Sequence, residues 1–213
     1  VKEKVLIRVR YGSGTKALPQ SLAGLNDLYN FYIVGGLGEH SVNELRELLS
    51  DKNVSLSFSA DFNGYGGTFS TSNDTLSEQL QLITAYITDP GYSETVLPLF
   101  RKNVEQGAKQ RKNTIAAVKS YEVSNAIYGD DHRMGPAPVY AVLARDFNEL
   151  KTVLKAALEQ GPMTITVVGD INVDNVVDEI AKTLGSLDIN VPAPRHEWIE
   201  GIRLQAPNNV ILT

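Results

Sequence analysis

The sequence predicts an α+β fold: an antiparallel-rich mixed sheet with helices packed on one face. Three observations carry that expectation. Apolar and polar residues alternate with period two over Val5–Tyr11 and again over Val54–Phe62, so both segments suit strands with one wet face. The second run ends in Asn63-Gly64, a hairpin signal, which makes the following strand its antiparallel neighbour. The remaining apolar residues recur at helical spacing in runs that do not alternate regularly with the strands, which argues against a doubly wound parallel sheet.

After the first strand, Leu22, Leu25, Leu28, Tyr29, Tyr32 and Ile33 predict a helix over Leu22–Val34, ended by Gly35-Gly36-Leu37-Gly38. Ser41-Val42-Asn43-Glu44 reads as a capping box opening a short helix to about Leu49. The hairpin's return strand is expected over Thr68–Thr71. Thr75-Leu76-Ser77-Glu78 reads as a second capping box, starting a helix that Asp89-Pro90-Gly91 stops. Ser93 is placed as the cap of a long helix with Val96, Leu97, Phe100 and Val104 inward, and a further helix spans Thr114–Tyr128. Gly129–Pro136 is a loop, Asp146–Glu159 a helix, Met163–Val168 a β-branched strand and Val173–Leu184 a helix. Beyond Pro192 and Pro194 a last strand is expected at Gly201–Gln205.

Composition bounds the function. The 42% apolar and 21% charged content over 213 residues is that of a globular chain able to bury a core. There are no cysteines, which removes disulfides, thiolate metal sites and a cysteine nucleophile. The apolar runs are too short for a membrane-spanning helix, and no secretory leader is visible. The chain begins at Val1 and stops within the strand-like Val210–Thr213, so it is expected to be one domain, 1–213, excised from a longer chain. Arg101, Lys102, Lys109, Arg111, Lys112 and Lys119 make a basic stretch. The net charge is nevertheless −5 and the stretch has no interleaved aromatics, so a solvated face or a contact with an acidic partner surface is expected rather than nucleic-acid binding.

Residue by residue, no catalytic centre is visible. His40, His132 and His196 are far apart in sequence, with neither HExxH nor HxxEH. His40 and Glu44 stand four residues apart, but two donors do not close a zinc site. Asp130-Asp131-His132-Arg133 concentrates charge in a loop; acid–base work there competes with a plain solvated turn, which the composition favours. Gly12-Ser13-Gly14 lacks the third glycine of a dinucleotide fingerprint, and no serine sits in a nucleophile elbow.

The segment Gly24–Ser41, continued by Asn43-Glu44-Leu45-Arg46, resembles the insulinase/pitrilysin family of zinc metallopeptidases, which carry an inverted HxxEH motif on a helix followed by a glycine-bearing turn, a serine and a short helix. The serine-rich strand with its hairpin partner, Asp89-Pro90-Gly91-Tyr92, Tyr128-Gly129-Asp130 and Val167-Val168-Gly169-Asp170 also fit, in order, over nearly the whole chain. The resemblance implies the metallohydrolase fold of processing peptidases and LuxS.

The motif itself departs from the family. Aligned on Gly24 and Ser41, the positions of His, Glu and His hold Asp27, Asn30 and Phe31, and the downstream glutamate ligand falls near Glu105 or Gln106. Zinc needs three good donors and an open position for water; an amide is a poor base and a benzyl ring donates nothing. No catalytic residue is therefore carried over, and no metal or other cofactor is expected in this domain. Zinc is expected only in the partner half.

The resemblance further implies an inactive half-domain that forms part of a substrate chamber. Its partners would be the catalytic half, on the same chain or as a separate subunit, and peptide substrate, and its compartment the periplasm. A stand-alone assembly subunit resembling processing-peptidase core proteins is the alternative. An independent enzyme using the Asp130–Arg133 loop is the third reading.

Overall fold

The computed structural model describes residues 4–189, apart from Lys112 and Asp130. The expected strand Gly201–Gln205, with Pro192, Pro194 and His196, lies outside the described residues.

Four strands, β1 (Lys4–Tyr11), β2 (Phe58–Asp61), β3 (Gly64–Ser72) and β4 (Met163–Val168), form one sheet in the order β2-β3-β1-β4, with every neighbouring pair antiparallel. The alternation of β1 sets which side faces the core. Val5, Ile7, Val9 and Tyr11 are buried, whereas Lys4, Leu6, Arg8 and Arg10 are exposed. The register continues this division across the sheet. Val9 stands opposite Gly67 and Ile165, and Tyr11 opposite Tyr65 and Met163, so one face is uniformly apolar.

Onto that face pack α1 (Leu25–Tyr29), α3 (Leu76–Thr88), α4 (Leu97–Gln110), α7 (Phe147–Gln160) and α8 (Val173–Lys182), through Leu28, Tyr29, Leu80, Ile83, Tyr86, Phe100, Leu150, Leu154 and Val176. The elements α2 (Val42–Leu48), α5 (Ile115–Tyr128) and α6 (Val139–Leu143) lie farther out, and α5 has no fully buried side chain. A chain of aromatic contacts runs through the core. Tyr29 stacks on Tyr32 at 5.1 Å, Tyr32 meets Phe58 edge-on at 5.3 Å, and Phe58 meets Phe69 at 5.0 Å.

The α+β architecture with helices on one sheet face is as the sequence predicts; several elements differ in extent. The helix expected over Leu22–Val34 is broken into 3-10 turns and the five-residue α1. Gly24, which precedes α1, adopts φ +85°, and a Cβ there would stand 2.7 Å from Val142 Cγ2. Short 3-10 turns keep the same residues inward, so periodicity alone did not separate them. The strand expected over Val54–Phe62 is regular only from Phe58. Upstream, the buried Gln79 side chain takes the backbone instead: Ser55 N–H donates to Gln79 Oε1 at 2.7 Å, and Gln79 Nε2 donates to Ser55 O at 3.0 Å.

The hairpin turn is Phe62-Asn63, one residue earlier than Asn63-Gly64, because Asp61 Oδ1 accepts from Asn63 N–H at 2.7 Å and from Gly64 N–H at 3.0 Å. The capping box at Ser41 is present. The one expected at Thr75 is absent, since Thr75 Oγ1 donates instead to Asn53 O at 3.0 Å. Ser93 likewise does not cap a helix; a 3-10 turn, Glu94–Val96, precedes α4. The short α6 is additional to the expected order.

Candidate functional site

The core-facing spacing of α1 determines what its outer side presents. With Leu25, Leu28 and Tyr29 turned inward, Asn26 and Asp27 line a cleft of about 510 Å³. Its far wall is α5, through Ala117, Ser120, Tyr121 and Ser124. Its floor and rim come from Thr15–Ala23 and the loop His132–Ala137, and Arg111, just beyond α4, closes one side.

The loop expected to be a solvated turn is a built part of this cleft. Asp131, His132 and Arg133 are all half-buried. Arg133 grips the Asp131 carboxylate with Nε at 2.7 Å and with Nη2. Gln20 Nε2 donates to Asp131 Oδ1 at 2.9 Å, and Thr15 Oγ1 donates to Arg133 O at 3.0 Å, which fastens the loop to the segment before α1. The Arg133 guanidinium, then the hydrogen bonds around it, hold the Asp131 carboxyl below the usual carboxylate range. His132 Nδ1 donates to Pro136 O at 3.0 Å, so this ring nitrogen carries the proton and is spent on the loop's own backbone. Asp130 lies outside the described residues.

Arg111 is placed differently from Arg133. Its guanidinium lies over the Tyr121 ring, 5.4 Å from the centroid, and among the described residues no carboxylate comes within 4.0 Å of it. Its charge acts through space on Asp27. Many protein atoms crowd that carboxylate and raise its pKa above the usual carboxylate range, while the Arg111 charge partly opposes the rise. The Oδ1 of Asn26 is buried with no hydrogen-bond partner among the described residues.

The five positions carried over from the zinc-motif alignment have different surroundings. Asp27 lines the cleft. Asn30 is exposed and lies just past the end of α1. Phe31 is half-buried against the core and meets Phe100 edge-on at 5.3 Å. Glu105 and Gln106 are exposed on α4 and do not line the cleft. A catalytic zinc does not fit this set, because one carboxylate stands alone where three converging donors are required. Among the described residues no group of three or more His, Asp or Glu stands close enough to hold a metal. His40 is exposed, and Glu44, its expected companion, is engaged in the α2 capping box. Sequence reasoning missed Asn26 and Tyr121; only the fold juxtaposes them with Arg111.

A one-sided antiparallel sheet with α1 and its cleft in front defines an α+β domain with its helices on one sheet face. No protein-family model matches the sequence, and no curated protein matches it. Solved structures do match in fold. The peptidase M16 inactive domain from Pseudomonas fluorescens is similar with a TM-score of 0.74 and 15% identity, over 92% of this chain and 48% of that one. A protease from Helicobacter pylori matches at 0.73 and 16%, over 97% of this chain and 50% of that one. The periplasmic protease PqqL from Escherichia coli matches at 0.72 and 19%, over 90% of this chain and 21% of that one. The chain therefore has the fold of an M16-type peptidase domain, and spans half or less of the chains it resembles. Among the described residues no helix is long and apolar enough to cross a membrane.

Proposed function

We propose that this chain is a non-catalytic domain of a zinc metalloendopeptidase of the insulinase/pitrilysin type, lining part of the substrate chamber beside a separate half that carries the metal. The observation that carries this reading is Phe31. Where a metal-binding helix would offer an imidazole, this chain offers a benzyl ring packed edge-on against Phe100, within a fold shared with M16-type peptidase domains. A side chain spent on core packing is not available to a metal, and among the described residues Asp27 belongs to no group of three or more His, Asp or Glu that could hold one. In this reading the cleft in front of α1 is a contact surface for peptide rather than a reaction site, and the zinc belongs to the catalytic half. PqqL is a periplasmic protease, and we place this chain in the same compartment.

The test is turnover of a quenched fluorescent peptide by the 213-residue chain, with and without zinc. The expected result is no hydrolysis above buffer, unchanged by His132→Ala. Zinc-dependent turnover that disappears in Asp27→Ala overturns the reading. Metal-free turnover lost in His132→Ala would restore the Asp131–Arg133 loop as a catalytic site.

A further inference from the structure

The chemistry left unused in the cleft is specific, and it rests on the reading of this cleft as a peptide contact surface. A fold that merely tolerated a vestigial cavity would be expected to neutralise its buried polar groups. The Asp131–Arg133 pair is neutralised in this way, with both nitrogen donors committed to one carboxylate. Arg111 is not. Its guanidinium lies over the Tyr121 ring, and among the described residues no carboxylate comes within 4.0 Å of it.

A guanidinium is planar and presents a fork of N–H groups that matches a carboxylate. The surrounding field has the appropriate sign. Arg101, Lys102 and Lys109 on α4 and Lys119 on α5 outnumber Glu105 and Glu122 on the same two helices. The volume of about 510 Å³ is that of a site for a short peptide stretch rather than for a single ion.

We propose that the cleft in front of α1 is a peptide-binding subsite selective for an acidic side chain, with Arg111 receiving the carboxylate. Asp27, on the same wall, disfavours a second acidic residue beside the first, so the subsite takes one acidic side chain flanked by neutral ones.

Titration calorimetry on the 213-residue chain with three blocked heptapeptides of alanine and serine, carrying a central glutamate, glutamine or lysine, tests this. The glutamate peptide is expected to bind at least tenfold more tightly than the other two, with the preference shrinking as salt is raised. Arg111→Gln and Arg111→Lys should both erase the preference, because a point charge does not replace the fork. Lys151→Gln, exposed on α7, should change nothing. Circular dichroism of each variant establishes that it is folded. Equal affinity for the three peptides, a preference that survives Arg111→Gln, or no binding of any peptide at about 1 mM overturns the subsite. None of these outcomes touches the non-catalytic reading, which fails only if the chain cleaves one of the peptides in the presence of zinc.

Discussion

Replacing Phe31 with alanine tests whether this motif position has become part of the core. Truncating a fully buried phenylalanine costs about 3–5 kcal/mol. Phe31 is half-buried, so about half of that applies, ~2 kcal/mol, of which about 1 kcal/mol is the edge-to-face contact with Phe100. For a domain of this size 1 kcal/mol lowers Tm by roughly 2–4 °C, so Phe31→Ala should melt about 4–8 °C below the parent chain. Phe31→Leu retains burial and loses the ring pair, and should cost about 1 kcal/mol. A double-mutant cycle with Phe100→Leu, measured by urea unfolding, should return a coupling of about 1 kcal/mol. Phe31→His, which places a donor at this position, should be destabilised, and zinc should not restore its Tm, since a ligand that binds only the native state would raise it. The reasoning is refuted if Phe31→Ala lies within about 0.5 kcal/mol of the parent, the range of ordinary surface substitutions, or if zinc rescues Phe31→His.

Other perturbations read other parts of the account. Gly36→Ala forces a side chain into φ +86° with its Cβ 2.4 Å from His40 O, and should cost more than about 1 kcal/mol in thermal unfolding, because the turn before α2 must shift. Ser41→Ala removes the α2 capping box and should cost about 1 kcal/mol, read as lower helicity and an earlier melting onset. The Asp131 carboxyl is held below its unfolded value, so its stabilisation of the cleft loop is complete above about pH 4 and is lost as pH falls through the lower folded value. Amide protection factors over residues 131–135, with the intrinsic pH dependence of exchange divided out, should therefore fall in acid, and Asp131→Asn should show low protection at every pH. Burial pushes the phenols of Tyr65 and Tyr86 up to about 12 and raises those of Tyr11, Tyr29, Tyr32 and Tyr92 as well. This stabilisation is complete below about pH 10 and lost as pH rises, so phenolate absorbance should lag behind that of free tyrosine and be released together with unfolding.

The sheet was legible because period-two alternation in β1 reports its buried face directly, and the one-residue shift of the hairpin turn left the pairing of β2 with β3 intact. The broken helix at Leu22–Val34 was not legible, since residues three and four apart face inward in α-helical and 3-10 turns alike. The part of β2 lost to Gln79, and the cap lost to Thr75's bond to Asn53, depend on partners more than twenty residues away. Asp27 and Phe31 were identified by alignment alone, and their separation into cleft and core is a packing result. Arg111 was visible only as one charge in a basic stretch, and its placement over Tyr121 requires α5 to fold back beside it. The charge of Asp131–Arg133 was read as solvated because sequence does not show that Gln20 and Thr15 come to meet it.

Zinc stoichiometry is the most direct measurement of the central claim. After equilibration of the 213-residue chain with a small excess of zinc and dialysis against metal-free buffer, elemental analysis should find well under one ion per chain, the same in Asp27→Ala as in the parent. One zinc per chain, retained through dialysis and lost in Asp27→Ala, would contradict the account.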